Sequence, residues 1–289
     1  MGLADLFRFF GSRKPKVDLW RRYERLHESI SGTMSKFYKA RDRSSGAIVG
    51  IKVVDMSKTA PIERRYHRLG KPNEGEIGLA ISDPHVVRTL DWGTTLDGGL
   101  YIVEEFVDGR LLHVLISSRK PLEPSRRISF IRQAAAAVEA VHAAGFVHRD
   151  ICARNFLVTP DDRLLLFDFG LSVPDKPAFR QPGNRTGTPN YMAPEVVRRR
   201  HFDKRIDIFS FGVTAYEICT LDLPWPRGTT GRAALSHDSP PADIRAGWPE
   251  IPEPLAAAIM ACLEADPAKR PDSVRSEEHT SELQSPCNL

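Results

Sequence analysis

Apolar residues group along this chain into short runs and longer periodic stretches. Tyr23–Ile30, Lys36–Ala40, Ile48–Val54 and Leu100–Val107 read as strands, joined by Ser31-Gly32-Thr33-Met34-Ser35 and by Arg43-Ser44-Ser45-Gly46 in the first part of the chain. A period near 3.6 marks Ser125–Ala144 as a helix: Ile128, Ile131, Ala134, Ala135, Val138, Val141 and His142 recur at helical spacing, and Gly145 follows as a stop. Lys204–Leu221 is apolar through Ile206, Ile208, Phe209, Phe211, Val213, Ala215 and Ile218, and reads as a buried helix. Pro254–Glu264 reads as one more. Pro61–Leu69 and Asn73–Ile81 read as two shorter helices, broken apart by Gly70-Lys71-Pro72 and with Asn73 as a cap.

Between the long helices the pattern tightens. Phe156-Leu157-Val158 and Leu164-Leu165-Leu166-Phe167 are apolar runs separated by Pro160-Asp161-Asp162, which is turn chemistry, so they read as a hairpin. The polar loop before it holds Asp150 and, five residues on, Asn155; the second strand ends in Asp168, close to Gly170. Two carboxylates and one amide carbonyl thus meet on one rim. Asp168 and Asn155 suit a hard cation bound through oxygen, and Asp150 suits the handling of a proton.

His148-Arg149-Asp150, with Asn155 beyond it and Asp168-Phe169-Gly170 after the hairpin, resembles the catalytic and magnesium-binding loops of the protein kinases. The resemblance runs from about 23 to 274. It implies an α+β bilobal fold: a small antiparallel β lobe with one helix at about 23–107, and a larger, mainly α-helical lobe at about 108–274. Residues 1–22 precede it as an extension. It implies ATP and Mg2+ as cofactors, Asp150 as the base that orients the acceptor hydroxyl, and Asn155 and Asp168 as metal ligands. Val49-Gly50-Ile51-Lys52 resembles the strand whose lysine holds the α- and β-phosphates; alternation turns Gly50 and Lys52 to the cleft, where Gly50 leaves room beside the adenine. The family's three phosphate-loop glycines fall at Ile30, Gly32 and Ser35, and only Gly32 is kept. Gly32 and Ser35 are the nucleotide contacts expected there, because small residues let backbone N–H groups approach phosphate. The adenine edge is expected on the backbone of Glu105 and Val107. Glu104 falls where the family places an apolar gate to the back pocket, and is expected either to bond Lys52 or to point away.

Lys52 needs an acidic partner. Register places it at Glu74, with Glu76 and Glu63 as alternatives. Gly75 and Gly78 each cost a helix about 1 kcal/mol, so this helix is expected to be irregular, with an ion pair that depends on ligand or partner. Gly187-Thr188-Pro189-Asn190-Tyr191-Met192-Ala193-Pro194-Glu195 resembles the serine/threonine-kinase segment, with Thr188 touching Asp150. Asp207 is expected to hold the catalytic loop's backbone, and Arg270 to form a buried salt bridge with Glu195. Cys152 stands where serine/threonine kinases carry lysine. Ile151-Cys152-Ala153-Arg154-Asn155 looks more like the tyrosine-kinase loop, with Arg154 the candidate replacement near the transferred phosphate, so dual specificity stays open. Arg149 is a candidate receptor for a phosphorylated loop residue, Thr186 or Ser172. The function implied is γ-phosphate transfer to protein serine/threonine hydroxyls. The alternative is a pseudokinase, a nucleotide-binding or scaffolding module, which the eroded glycine loop and Cys152 fit; the retained Lys52, Asp150, Asn155 and Asp168 favour the enzyme.

Composition adds boundaries. A net charge of +4 and scattered basic residues argue against a nucleic-acid partner. Cys152, Cys219, Cys262 and Cys287 show neither close pairing nor metal-ligand spacing, and read as reduced thiols of a cytoplasmic protein. No apolar run is long enough to span a bilayer. Leu3, Leu6, Phe7 and Phe10 share a helical face beside Arg13, Lys14 and Lys16. Packing on the domain, or fraying, is the favoured reading of residues 1–16; a membrane-surface helix is the other. Residues 275–289 resemble a translated sequencing adaptor, so the natural sequence is expected to be cut near Val274, short of the large lobe's final helix.

Overall fold

A computed structural model describes residues 14–28, 30–32, 34–183, 185–227 and 237–274. The N-terminal apolar face and the adaptor-like stretch lie outside these. Among the described residues the small lobe is one sheet of seven strands: β1 (Lys16–Val17), β2 (Tyr23–Arg25), β3 (Ile30–Ser31), β4 (Ser35–Asp42), β5 (Ile48–Val54), β6 (Thr89–Thr95) and β7 (Leu100–Glu105). Its order is β1-β6-β7-β5-β4-β2, with β3 also on β4. Every pairing is antiparallel except β1 with β6. Residues assigned to an N-terminal extension therefore join the lobe: Lys16 pairs with Thr94, and Leu19 of α1 (Leu19–Arg22) is buried with Tyr23, Ile51 and Val103 under the outer sheet face.

Two further helices follow β5, as the residue pattern predicts, where the family resemblance implies one. Helix α2 (Met56–Tyr66) starts five residues before the expected Pro61, because Asp55 caps it and accepts from the Ser57 N–H. Helix α3 (Glu74–Ala80) opens with a capping box. The Asn73 side chain accepts from the Glu76 N–H at 3.0 Å, and Glu76 Oε2 accepts from the Asn73 N–H at 2.8 Å. It is a regular helix, against the expectation.

The large lobe carries α4 (Leu112–Ser117), α5 (Pro124–Ala143), α6 (Pro194–Val197), α7 (Arg205–Thr220) and α8 (Glu253–Cys262). Helix α7 is buried from Ile206 to Cys219, which is why its sequence shows no polar face. Helix α5 ends at a left-handed Gly145, φ 82°, which delivers the chain into β9 (Phe146–Val147) and the polar loop. The expected hairpin is β10 (Phe156–Val158) with β11 (Leu164–Leu166), in the register Phe156 to Leu166. Strand β8 (Arg110–Leu111) pairs with β10, and β12 (Val173–Pro174) with β9. The lobes share a core: Ile77 and Ile81 of α3 belong to the same apolar cluster as Phe130, Phe156 and Phe169. The segment after α3 also pairs with β11, since the Val87 N–H donates to Leu166 O and the Leu166 N–H to His85 O.

Candidate active site

Strand β5 presents Lys52 on the sheet face that α3 covers, and α3 presents Glu74 from its first turn. Lys52 Nζ donates to Glu74 Oε1 at 2.5 Å and to Asp168 Oδ1 at 2.8 Å. The pair expected to depend on ligand is closed here. The other two acids have different work: Glu76 completes the cap of α3, and Glu63 pairs with Lys71 at 2.7 Å. Burial works against the Lys52 charge, but Asp168 and Glu74 raise its pKa above the ordinary lysine value. Burial and the Asp168 charge push Glu74 up, with Lys52 opposing. Desolvation resists ionisation of Asp168 too, yet Lys52 holds its carboxyl below the usual range. Its side chain stays 40% exposed, open to the cleft.

The polar loop supplies the second half. Asn155 Nδ2 donates to the Asp150 backbone carbonyl at 2.8 Å and to Asp150 Oδ2 at 3.0 Å, and no described residue donates to its amide oxygen. Thr188 donates to Asp150 Oδ1 through both its N–H and its hydroxyl, each at 2.8 Å. The Phe167 N–H donates to the Asn155 carbonyl, so this loop and the strand leading to Asp168 are bonded directly. Beneath them Asp207 accepts from the His148 and Arg149 N–H groups at 2.7 and 2.8 Å and meets His142 Nε2 at 3.0 Å. Phe169 packs edge-on to His148, with centroids 5.4 Å apart. Lys52, Glu74, Asp168, Asn155 and Asp150 are thus brought to one cleft. The chemistry open to them is charge neutralisation, oxygen ligation and proton transfer.

The protein kinase domain family matches residues 23–280. The chain belongs to the protein kinase family. It is 32% identical over 265 residues to serine/threonine-protein kinase pkn3 of Myxococcus xanthus, covering 88% of this chain and 48% of that one. It is 31% identical to serine/threonine-protein kinase PknD of Mycobacterium tuberculosis, covering 86% and 37%, and 33% identical to PknE of the same organism, covering 80% and 41%. The chain therefore spans less than half the length of these curated relatives.

The remaining kinase residues are placed as follows. Gly32 closes the β3–β4 turn by donating its N–H to Ser35 O at 2.8 Å, so that amide is used within the turn. The Glu105 side chain lies off the cleft, accepting from the Arg88 N–H, while the Val107 N–H has no backbone acceptor among the described residues. Glu104 matches neither expectation: it is buried on the cleft face, but Lys52 donates to Glu74 and Asp168 instead. Arg154 is exposed, with no ion pair among the described residues. Burial pushes the Cys152 thiol up to about 12, so it fills space rather than reacting. Arg149 is buried and donates to the Tyr66 hydroxyl at 2.9 Å. Ser172 is fully buried against His148 O, which removes it as an accessible modification site; Thr186 is half-buried.

Two contributions were not read from sequence. The Phe37 ring lies over Gly50: a Cβ there would sit 2.6 Å from Phe37 Cζ, so the room expected beside the adenine is already filled. The position of Phe37 on β4, directly opposite Lys52, was the available signal. The other is Tyr66, the partner of Arg149, which arrives from α2 and had no local motif to mark it.

Proposed function

We propose that this chain transfers the γ-phosphate of ATP to serine and threonine hydroxyls of protein substrates. One observation carries the reading: Lys52 is held between Glu74 and Asp168 while Asp150 is held between Asn155 and Thr188. Phosphoryl transfer asks the protein for positioning and charge neutralisation more than for covalent chemistry. Lys52 offers a fixed ammonium to the α- and β-phosphates. The open side of Asp168 and the amide oxygen of Asn155 are hard donors. Among the described residues no group of three or more His, Cys, Asp or Glu could hold a metal alone. A rim of two donors suits magnesium, which keeps water and phosphate oxygens as its other ligands. Bound there, it would neutralise charge on the phosphates.

Asp150 receives the acceptor hydroxyl's proton, its carboxylate fixed by Thr188 and Asn155. The backbone of Glu105 and Val107 takes the adenine edge, and the Gly32–Ser35 turn covers the phosphates. Arg154 takes the place of the lysine that Cys152 replaces. The Gly187–Glu195 match supports serine/threonine acceptors. The described cysteines are buried and unpaired, which supports a cytoplasmic setting, and no described helix is long and apolar enough to cross a membrane.

The test is phosphate incorporation from radiolabelled MgATP into a generic protein substrate. Asp150→Asn is expected to lower it about 10²- to 10⁴-fold. Equal incorporation by both proteins would favour the scaffold reading. Phosphoamino-acid analysis is expected to give phosphoserine and phosphothreonine; phosphotyrosine alone would overturn the acceptor assignment.

A further inference from the structure

Strand β7 carries a carboxylate into the inner wall of the cleft. Glu104 lies directly opposite Gly50, and Ile102 directly opposite Lys52. Opposed residues of an antiparallel pair share a face, as do alternate residues along each strand. Glu104 therefore faces the side from which Lys52 reaches Asp168. It is only 7% exposed. No described residue donates a hydrogen bond to its carboxylate, since Lys52 directs its bonds to Glu74 and Asp168. None of the fully sealed, unpartnered side-chain atoms belongs to Glu104, so its oxygens keep access to the cleft. The charges acting on it are Lys52, Glu74, Asp168 and Glu105, and burial raises its pKa to about 7. The protein leaves this acceptor unmet, and the group that would complement it is an N–H or O–H.

We propose that Glu104 reads the exocyclic amino group of the nucleotide base. This rests on the ATP reading above. An adenine 6-amino group carries two hydrogens, and the Glu105 carbonyl takes one. The Glu104 carboxylate accepts the other. A base with a carbonyl oxygen at that position would set acceptor against acceptor, and a base with nothing there would leave Glu104 unpartnered. An apolar residue in its place accepts nothing, so Glu104 is a specificity-determining residue of this chain.

The experiment is a binding cycle on the full chain. ATP and purine riboside triphosphate, which lacks the 6-amino group, are titrated by calorimetry into wild type, Glu104→Met and Glu104→Gln. The Glu105 carbonyl is common to all three proteins and cancels. Loss of the amino group is expected to weaken wild-type binding about tenfold more than it weakens Glu104→Met binding. Glu104→Gln keeps an acceptor without the charge, and is expected to fall between them. It also keeps the cycle readable if the Met variant does not fold: a smaller penalty than wild type supports the reading, an equal one overturns it. Equal penalties in wild type and Glu104→Met, with ATP binding intact, overturn this inference alone. Wild type that binds no ATP overturns the nucleotide reading beneath it.

Discussion

A side chain's room depends on what faces it, and Gly50 shows this directly. In isolation the glycine reads as added space beside the adenine. In the sheet, the Phe37 ring stands within 2.6–2.8 Å of where its Cβ would be, so a large residue and an absent one fill one volume. Gly50→Ala is therefore expected to destabilise the protein by about 1–3 kcal/mol and to weaken ATP binding. Phe37→Val in the same chain should restore both, because the methyl then occupies what the ring vacates. Urea unfolding and nucleotide titration measure the two effects; a double variant no better than Gly50→Ala would refute the pairing. The same limit explains which residues were legible. Asp150, Asn155, Asp168 and Lys52 sit in local motifs. Glu74, Glu76 and Glu63 sit in no such motif: register points to Glu74, and their partners, Lys52, the Asn73 N–H and Lys71, separate the three.

At the scale of the element, α3 is where propensity and packing disagree. Two glycines in seven residues predict a poor helix. The helix forms because its capping box satisfies the Asn73 and Glu76 amides and because those glycines let it lie flush on β6. A Cβ at Gly75 would fall 2.3 Å from Trp92 Cβ, and one at Gly78 would fall 2.1 Å from Thr89 Oγ1. The volume that a side chain at Gly78 would take is filled by Thr89 from the sheet, an exchange across elements that a linear reading cannot register. Gly78→Ala should gain about 1 kcal/mol of intrinsic helix propensity and still lower the melting temperature. It should also raise the KM for ATP, because α3 would be pushed off β6 and would carry Glu74 away from Lys52. Thr89→Ala is expected to compensate in the double variant. A single variant that melts higher than wild type, with KM unchanged, would show that the close contact is not what limits this position.

The whole molecule is held by pairings distant in sequence, and the family motifs made several of them legible. Periodicity placed the long helices, but not the start of the small lobe, because β1 has two residues and only its register on β6 reveals it. The Arg270–Glu195 bridge was foreseen across 75 residues, and it is bidentate at 2.7 and 2.9 Å. Arg270 also donates to the backbone carbonyls of Glu264, Ala265 and Arg205, so one guanidinium ties the end of α8's following turn to α6 and to the start of α7. Both partners are buried. Removing the arginine alone leaves Glu195 charged, desolvated and unpaired, so Arg270→Met is expected to cost about 3–5 kcal/mol. Replacing both, as Glu195→Leu with Arg270→Met, removes the stranded charge and should cost less than Arg270→Met alone, although the three carbonyls lose their donor. Chemical denaturation of the four proteins gives the comparison. If the double variant is at least as unstable as the sum of the two singles, the bridge contributes through those backbone bonds rather than through the desolvated carboxylate, and this account of how the large lobe closes would be wrong.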